Sequence, residues 1–123
     1  MKQTISNTLK TLGIKPHYCG YLYLRDAVEM VVEDMDLASS VTKILYPTIA
    51  KTHKTTPSRV ERGIRHAITK AFEVRENNDL WERILCRTIK KNEYKPTNSE
   101  LIAAVADYLF LQEESEDEQA ENC

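Results

Sequence analysis

Along the stretch from Pro57 to Val74, the apolar residues Val60, Ile64, Ala67, Ile68 and Ala71 recur at three- and four-residue steps. On a helix of about 3.6 residues per turn they share one face, while Arg59, Arg62, His66 and Lys70 gather on the opposite one. A strand could not separate these two sets, because its side chains alternate from face to face. The segment is therefore a helix with one buried side and one cationic side. Thr56 can cap its first turn, and Pro57 suits the opening position, where no backbone amide is needed. Glu61 and Arg65 lie on the flank at i,i+4 spacing, an ion pair worth about 0.2–0.5 kcal/mol on an isolated helix.

What precedes this helix gives it a context. Ser39 or Ser40 can cap a helix holding Val41, Ile44 and Leu45, and Pro47 can open another that runs to about His53. Three or four residues then lead into the cationic helix, which is helix-turn-helix spacing. Such a motif needs a small residue where its helices touch, an aliphatic anchor for the second helix, and long donors near that helix's amino end. Ala50, Val60 and the arginines supply these. Lys54 stands in the turn, where glycine is common.

The same period recurs elsewhere. Thr4 to Leu12 reads as a short helix with Ile5, Leu9 and Leu12 inward, stopped by Gly13. Tyr21 to Met35 reads as the central core helix, and Asp79 to Ile89 as a shorter one with Leu80, Trp81, Ile84 and Leu85 inward. Thr97 and Glu100 have capping-box spacing ahead of Leu101, Ile102, Val105, Tyr108 and Leu109, in a helix ending near Leu111. No strand alternation or repeat interrupts this series. The expectation is an all-α single domain of about six helices over residues 1–111, with an acidic disordered tail at 112–123.

Charge is segregated within a formal net of −2. Residues 42–95 hold 13 Lys and Arg against six Asp and Glu, whereas residues 113–123 hold six carboxylates and no basic residue. A basic middle supplies the sequence-independent attraction to phosphates. The tail can act as a solubilising appendage, or fold back on the cationic helix and compete with those phosphates.

Composition removes several classes. No apolar run approaches the roughly 20 residues of a membrane span, and Met1 to Leu12 lacks a secretory signal's apolar core, so a cytoplasmic protein is expected. Cys19, Cys86 and Cys123 are odd in number and widely spaced, which supports neither a disulfide framework nor a zinc site. They read as reduced thiols, Cys86 as a small core residue and Cys123 as exposed. His17 and His53 read as loop and surface histidines, and Asp26, Glu29, Glu33, Asp34 and Asp36 as a solvated face. With three glycines and no HExxH or phosphate loop, no enzyme, cofactor or metal is expected.

Four blocks carry a more specific signal. They are Gly20-Tyr21-Leu22-Tyr23-Leu24-Arg25; Val41-Thr42-Lys43-Ile44-Leu45-Tyr46-Pro47; Thr56-Pro57-Ser58-Arg59-Val60-Glu61-Arg62 with Ile64-Arg65-His66-Ala67-Ile68; and Lys95-Pro96-Thr97-Asn98-Ser99-Glu100. In order and spacing, over residues 4 to 111, they resemble the carboxy-terminal effector domains of the sporulation master response regulators, stage zero sporulation protein A. The resemblance implies a six-helix domain binding double-stranded DNA, with the second helix of the motif in the major groove.

The family's groove-facing positions match Arg59, Glu61, Arg62, Arg65 and His66, while Ser58 and Thr56 sit where phosphates can be met. Lys70 extends the cationic face and completes the expected DNA-binding set. The resemblance also implies tandem copies on DNA and RNA polymerase sigma factor as a further partner. Leu80 to Asn92 departs from the family pattern in the sigma-contacting region, so DNA binding is the better supported of the two. A chain of 123 residues leaves no room for a receiver domain, so phosphorylation in cis is not expected. The alternative is a protein-interaction module that modulates a related full-length regulator without binding DNA. A pure adaptor, however, has no need of the exposed basic set.

Overall fold

The computed structural model describes residues 2–121, with side chains through residue 113. The described residues form six α-helices: α1 Lys2–Thr11, α2 Gly20–Glu33, α3 Tyr46–Thr52, α4 Pro57–Val74, α5 Asn78–Leu85 and α6 Asn98–Glu121. A 3₁₀ turn at Met35–Ser39 and a π turn at Val41–Leu45 join α2 to α3. No strand occurs among the described residues, in keeping with the all-α expectation.

The core is built around α2, which packs against α1, α4 and α6. Leu24, Ala27, Val28 and Val31 of α2 are fully buried, against Ile5 and Leu9 of α1, Ile64 and Ile68 of α4, and Leu101, Ile102 and Val105 of α6. Burial of aliphatic groups on this scale is the main stabilising term, at about 1.5–3 kcal/mol for each large side chain. Trp81 of α5 closes one end of the core: its Nε1 donates to the Leu12 carbonyl at 3.1 Å and its ring meets Phe72 edge-on at 5.3 Å. That bond satisfies both a buried indole and a carbonyl just past the end of α1. The stop after α1 is as expected, since Gly13 takes φ +92° and the Ile14 amide returns to the Leu9 carbonyl at 2.9 Å.

Several boundaries differ from the sequence reading for local reasons. The core helix ends at Glu33 rather than Met35, because Asp34 turns its backbone to an extended conformation and its carboxylate accepts from the Asp36 amide at 3.1 Å. Met35 is consequently exposed. The two helices expected on either side of Pro47 form one continuous rod, since a proline in the first turn needs no donor and the wide turn at Val41–Leu45 leads directly into α3. In that wide turn Ile44 points outward, while Val41 and Leu45 are buried.

The helix expected to reach Ile89 stops at Leu85. Cys86 adopts a left-handed conformation (φ 57°) as its carboxy-terminal cap, and is exposed rather than the core residue anticipated. Beyond it the Glu82 carboxylate accepts from the Ile89 amide at 2.9 Å, drawing the chain back along α5. At the start of α6 the Thr97 hydroxyl accepts from the Glu100 amide at 3.2 Å and faces the Glu100 carboxylate at 3.1 Å, a variant of the expected capping box. The α6 helix continues to Glu121 instead of ending near Leu111; no Pro or Gly interrupts that stretch, and Gln, Glu and Ala favour helix. Most of the tail expected at 112–123 to be disordered lies outside the described side chains.

Candidate nucleic-acid interface

The residues of Pro57–Val74 take the orientation that their period dictates. Val60, Ile64, Ala67 and Ile68 are at most 1% exposed, and Ser58, Arg59, Arg62, Arg65, His66 and Lys70 are all exposed. Glu61 lies at the margin, bound to Arg65 by a 3.0 Å contact between Oε1 and Nη1. The six exposed residues and Glu61 thus belong to one accessible side of a helix whose other side is locked in the core.

The segment ahead of α4 is a helix, a tight turn and a cap. Ala50, buried in α3, lets the two helices approach, and its carbonyl accepts from the Thr55 amide at 2.9 Å. Lys54 takes φ 54°, the left-handed conformation for which a turn glycine is usually chosen. Thr56 is extended and its hydroxyl accepts from the Arg59 amide at 3.3 Å, so it is the N-cap of α4. Thr56 is thereby engaged with its own helix. Ser58, two residues further on, is exposed and makes no side-chain hydrogen bond among the described residues.

Three contacts that sequence reading missed hold this pair of helices in place. His53, the carboxy-terminal cap of α3, has its Nε2 2.6 Å from Asp26 Oδ2 on α2, and its ring meets Tyr23 edge-on at 5.2 Å. Each side chain of the pair is about a quarter exposed, so neither His53 nor Asp26 is the freely solvated residue expected. Asn98 Nδ2 donates to Tyr46 Oη at 3.1 Å and to the Glu61 carbonyl at 3.0 Å, joining α3, α4 and α6 through one amide. Burial pushes the Tyr46 hydroxyl above its ordinary value of 10.0, against the opposing pull of the Asn98 hydrogen bond, so it remains a neutral phenol near pH 7. Finally, Gly20 lies directly against Gly63: a Cβ on Gly20 would fall 2.1 Å from the Gly63 carbonyl oxygen. The three contacts span 27, 37 to 52, and 43 positions, distances over which no local pattern carries a signal.

The Gly20–Gly63 contact brings the loop at 12–19 alongside the cationic face of α4. Between them runs an open groove of about 340 Å³, with His17, Tyr18 and Cys19 on one side and Arg59, Arg62, His66 and Lys70 on the other. Lys70 Nζ sits 5.0 Å from the Tyr18 ring centroid, a cation–π contact that steers its chain along the groove. On the opposite flank of α4, Thr42, Lys95, Thr97 and Ser99 border a second recess beside Glu61 and Arg65. The exposed ridge of α4 is therefore bounded by polar and basic groups on both sides. No helix among the described residues is long and apolar enough to cross a membrane.

Such a ridge, presented by a helix-turn-helix, is chemistry suited to a polyanion with readable edges. Comparison with known families agrees with the arrangement: the family model described as sporulation initiation factor Spo0A C terminal matches residues 5–109. That match spans all of α2 through α5, most of α1 and the core-forming part of α6. The chain belongs to the Spo0A C-terminal family, the DNA-binding effector domains of sporulation transcription regulators.

Proposed function

We propose that α4 enters the major groove of double-stranded DNA and reads a specific sequence there. In this reading Arg59 and Arg62 donate paired hydrogen bonds to guanine O6 and N7, and Glu61 accepts from cytosine N4. Arg65 and His66 hold base edges or the flanking phosphates, and Ser58 and Lys70 bind phosphate. The observation carrying this proposal is the division of α4, with aliphatic residues sealed in the core and Arg59, Arg62, His66 and Lys70 exposed along one stripe. A site read by one helix is short for selection within a genome, so two copies of the domain bind in tandem on DNA. A sigma factor is the further partner of the DNA-bound form.

The test is a titration of the purified chain against a duplex selected from a random library, with a scrambled duplex of equal length as control. Specific binding that weakens steeply as salt rises is the expected result. Equal affinity for both duplexes removes sequence specificity, and absence of binding to either leaves the helix pair as a surface for a protein partner.

A further inference from the structure

The groove beside α4 has a wall that the DNA-reading face does not require. Loop 12–19 contributes Lys15, His17, Tyr18 and Cys19 to recesses along that helix, although none of them belongs to the helix-turn-helix. We propose that this groove seats one sugar–phosphate backbone of the DNA that α4 reads, with Lys15 and His17 supplying phosphate contacts. The inference rests on the placement of α4 in the major groove.

Three observations carry it. The first is position. Arg59 and Lys70 are eleven residues apart, a stripe of about 16 Å at 1.5 Å per residue, and the groove follows it. A helix inserted in a major groove about 12 Å wide has a backbone along each side, so an element flanking α4 over that length faces phosphates. The second is charge. Lys15 and His17 are exposed, and neither has an acidic partner among the described residues. Asp26 is the first acidic residue of the whole chain, so Lys10 and Lys15 have no carboxylate near them in sequence, whereas Arg25 is paired with the adjacent Asp26 at 3.9 Å.

The third is preorganisation. The Tyr18 amide donates to the Lys15 carbonyl at 3.0 Å, His17 packs edge-on against Tyr18 at 4.9 Å, and Lys70 lies over the other ring system's partner, Tyr18 itself. The loop is fixed immediately before Gly20, whose lack of a side chain sets its distance from α4. A positioned lysine and a ring N–H beside an exposed cationic stripe form a seat for a phosphodiester, whose single charge is spread over oxygens without sequence information. The loop therefore contributes affinity and register, and leaves base choice to α4.

Cys19 lines this groove, whereas Cys86 is exposed on the α5–α6 side, which gives the experiment its reporter and its internal control. The unmodified chain, alone and saturated with a library-selected duplex, is treated with an uncharged maleimide, and labelling of each cysteine is followed by peptide mass spectrometry. Bound DNA should slow Cys19 labelling about tenfold or more and leave Cys86 unchanged, as expected for a contact at the phosphate backbone. Cys19 labelling at its free rate in a complex whose formation is shown by titration overturns the proposal while leaving the α4 reading intact. Failure of any duplex to bind overturns both.

Lys15→Ala and His17→Ala supply a second readout. Each should weaken selected and scrambled duplexes by the same factor, about three- to tenfold, and Lys15→Ala should flatten the log–log salt slope by about 0.9. Wild-type affinity in both variants, or a loss confined to the selected duplex, would contradict a phosphate seat.

Discussion

Arg59 and Arg62 differ from Arg65 in one respect that matters for binding. The former project from α4 without a carboxylate partner among the described residues, while Arg65 is tied to Glu61. Arg59→Ala or Arg62→Ala should therefore cost about 1–3 kcal/mol of specific binding and relax selectivity at one base position each. A competition titration against singly substituted duplexes checks this; a uniform loss across all of them would reassign the arginine to phosphate. Lys54 offers a prediction of stability instead. An L-residue in the left-handed region costs about 1–2 kcal/mol, and glycine relieves this at the expense of about 0.5–1 kcal/mol of unfolded-chain entropy. Lys54→Gly should accordingly raise stability by about 0.5–1 kcal/mol in urea denaturation, and an unchanged or lower midpoint would show that the turn holds no such strain.

At the scale of helices, the glycine pair between α2 and α4 predicts an asymmetry. Gly20→Ala drives a methyl group into the Gly63 carbonyl at 2.1 Å, where only backbone can yield, so the helices must separate at a cost of about 1–3 kcal/mol or more. Gly63→Ala meets the Tyr23 ring at 3.3 Å, a side chain that can shift by tenths of an ångström, and gains nearly 1 kcal/mol of helix propensity. Thermal or urea unfolding should place Gly63→Ala within about 1 kcal/mol of the parent and Gly20→Ala well below it. Equal effects would mean that the contact is looser than the distances state.

Helix positions and facing were legible in the sequence because a 3.6-residue period and caps such as Gly13 and Thr56 act over only a few residues. The cationic face of α4 was legible for the same reason. Helix ends at Glu33 and Leu85 were not, since Asp34 and Glu82 compete for backbone amides through their side chains. The outward turn of Cys86 followed from that early stop. Nor could any pattern reveal that His53 meets Asp26 or that Gly20 meets Gly63, because those encounters exist only after the helices pack.

For the whole molecule, the acidic run at the carboxy terminus sets the long-range field. Deleting residues 112–123 removes six carboxylates and moves the formal charge from −2 to +4, while the buried residues among the described side chains of α6, Leu101 to Leu109, precede the cut. Stability should change little. Affinity for scrambled DNA should rise at low ionic strength, with the gain fading as the Debye length falls to about 8 Å near 0.15 M salt. Identical affinities at low and moderate salt would show that the run lies electrically remote from the DNA.

The amide of Asn98 gives the α3–α4 helix pair a dependence on distant sequence. Its two donors brace Tyr46 and the backbone of Glu61 from behind, so the tilt of the second helix is set partly by a side chain that follows the motif by more than twenty positions. A peptide comprising only α3, the turn and α4 would carry every side chain proposed to read bases yet lack the strut behind them. The motif is for this reason not a transplantable cassette, and grafting it onto another scaffold would demand a substitute for that rear support.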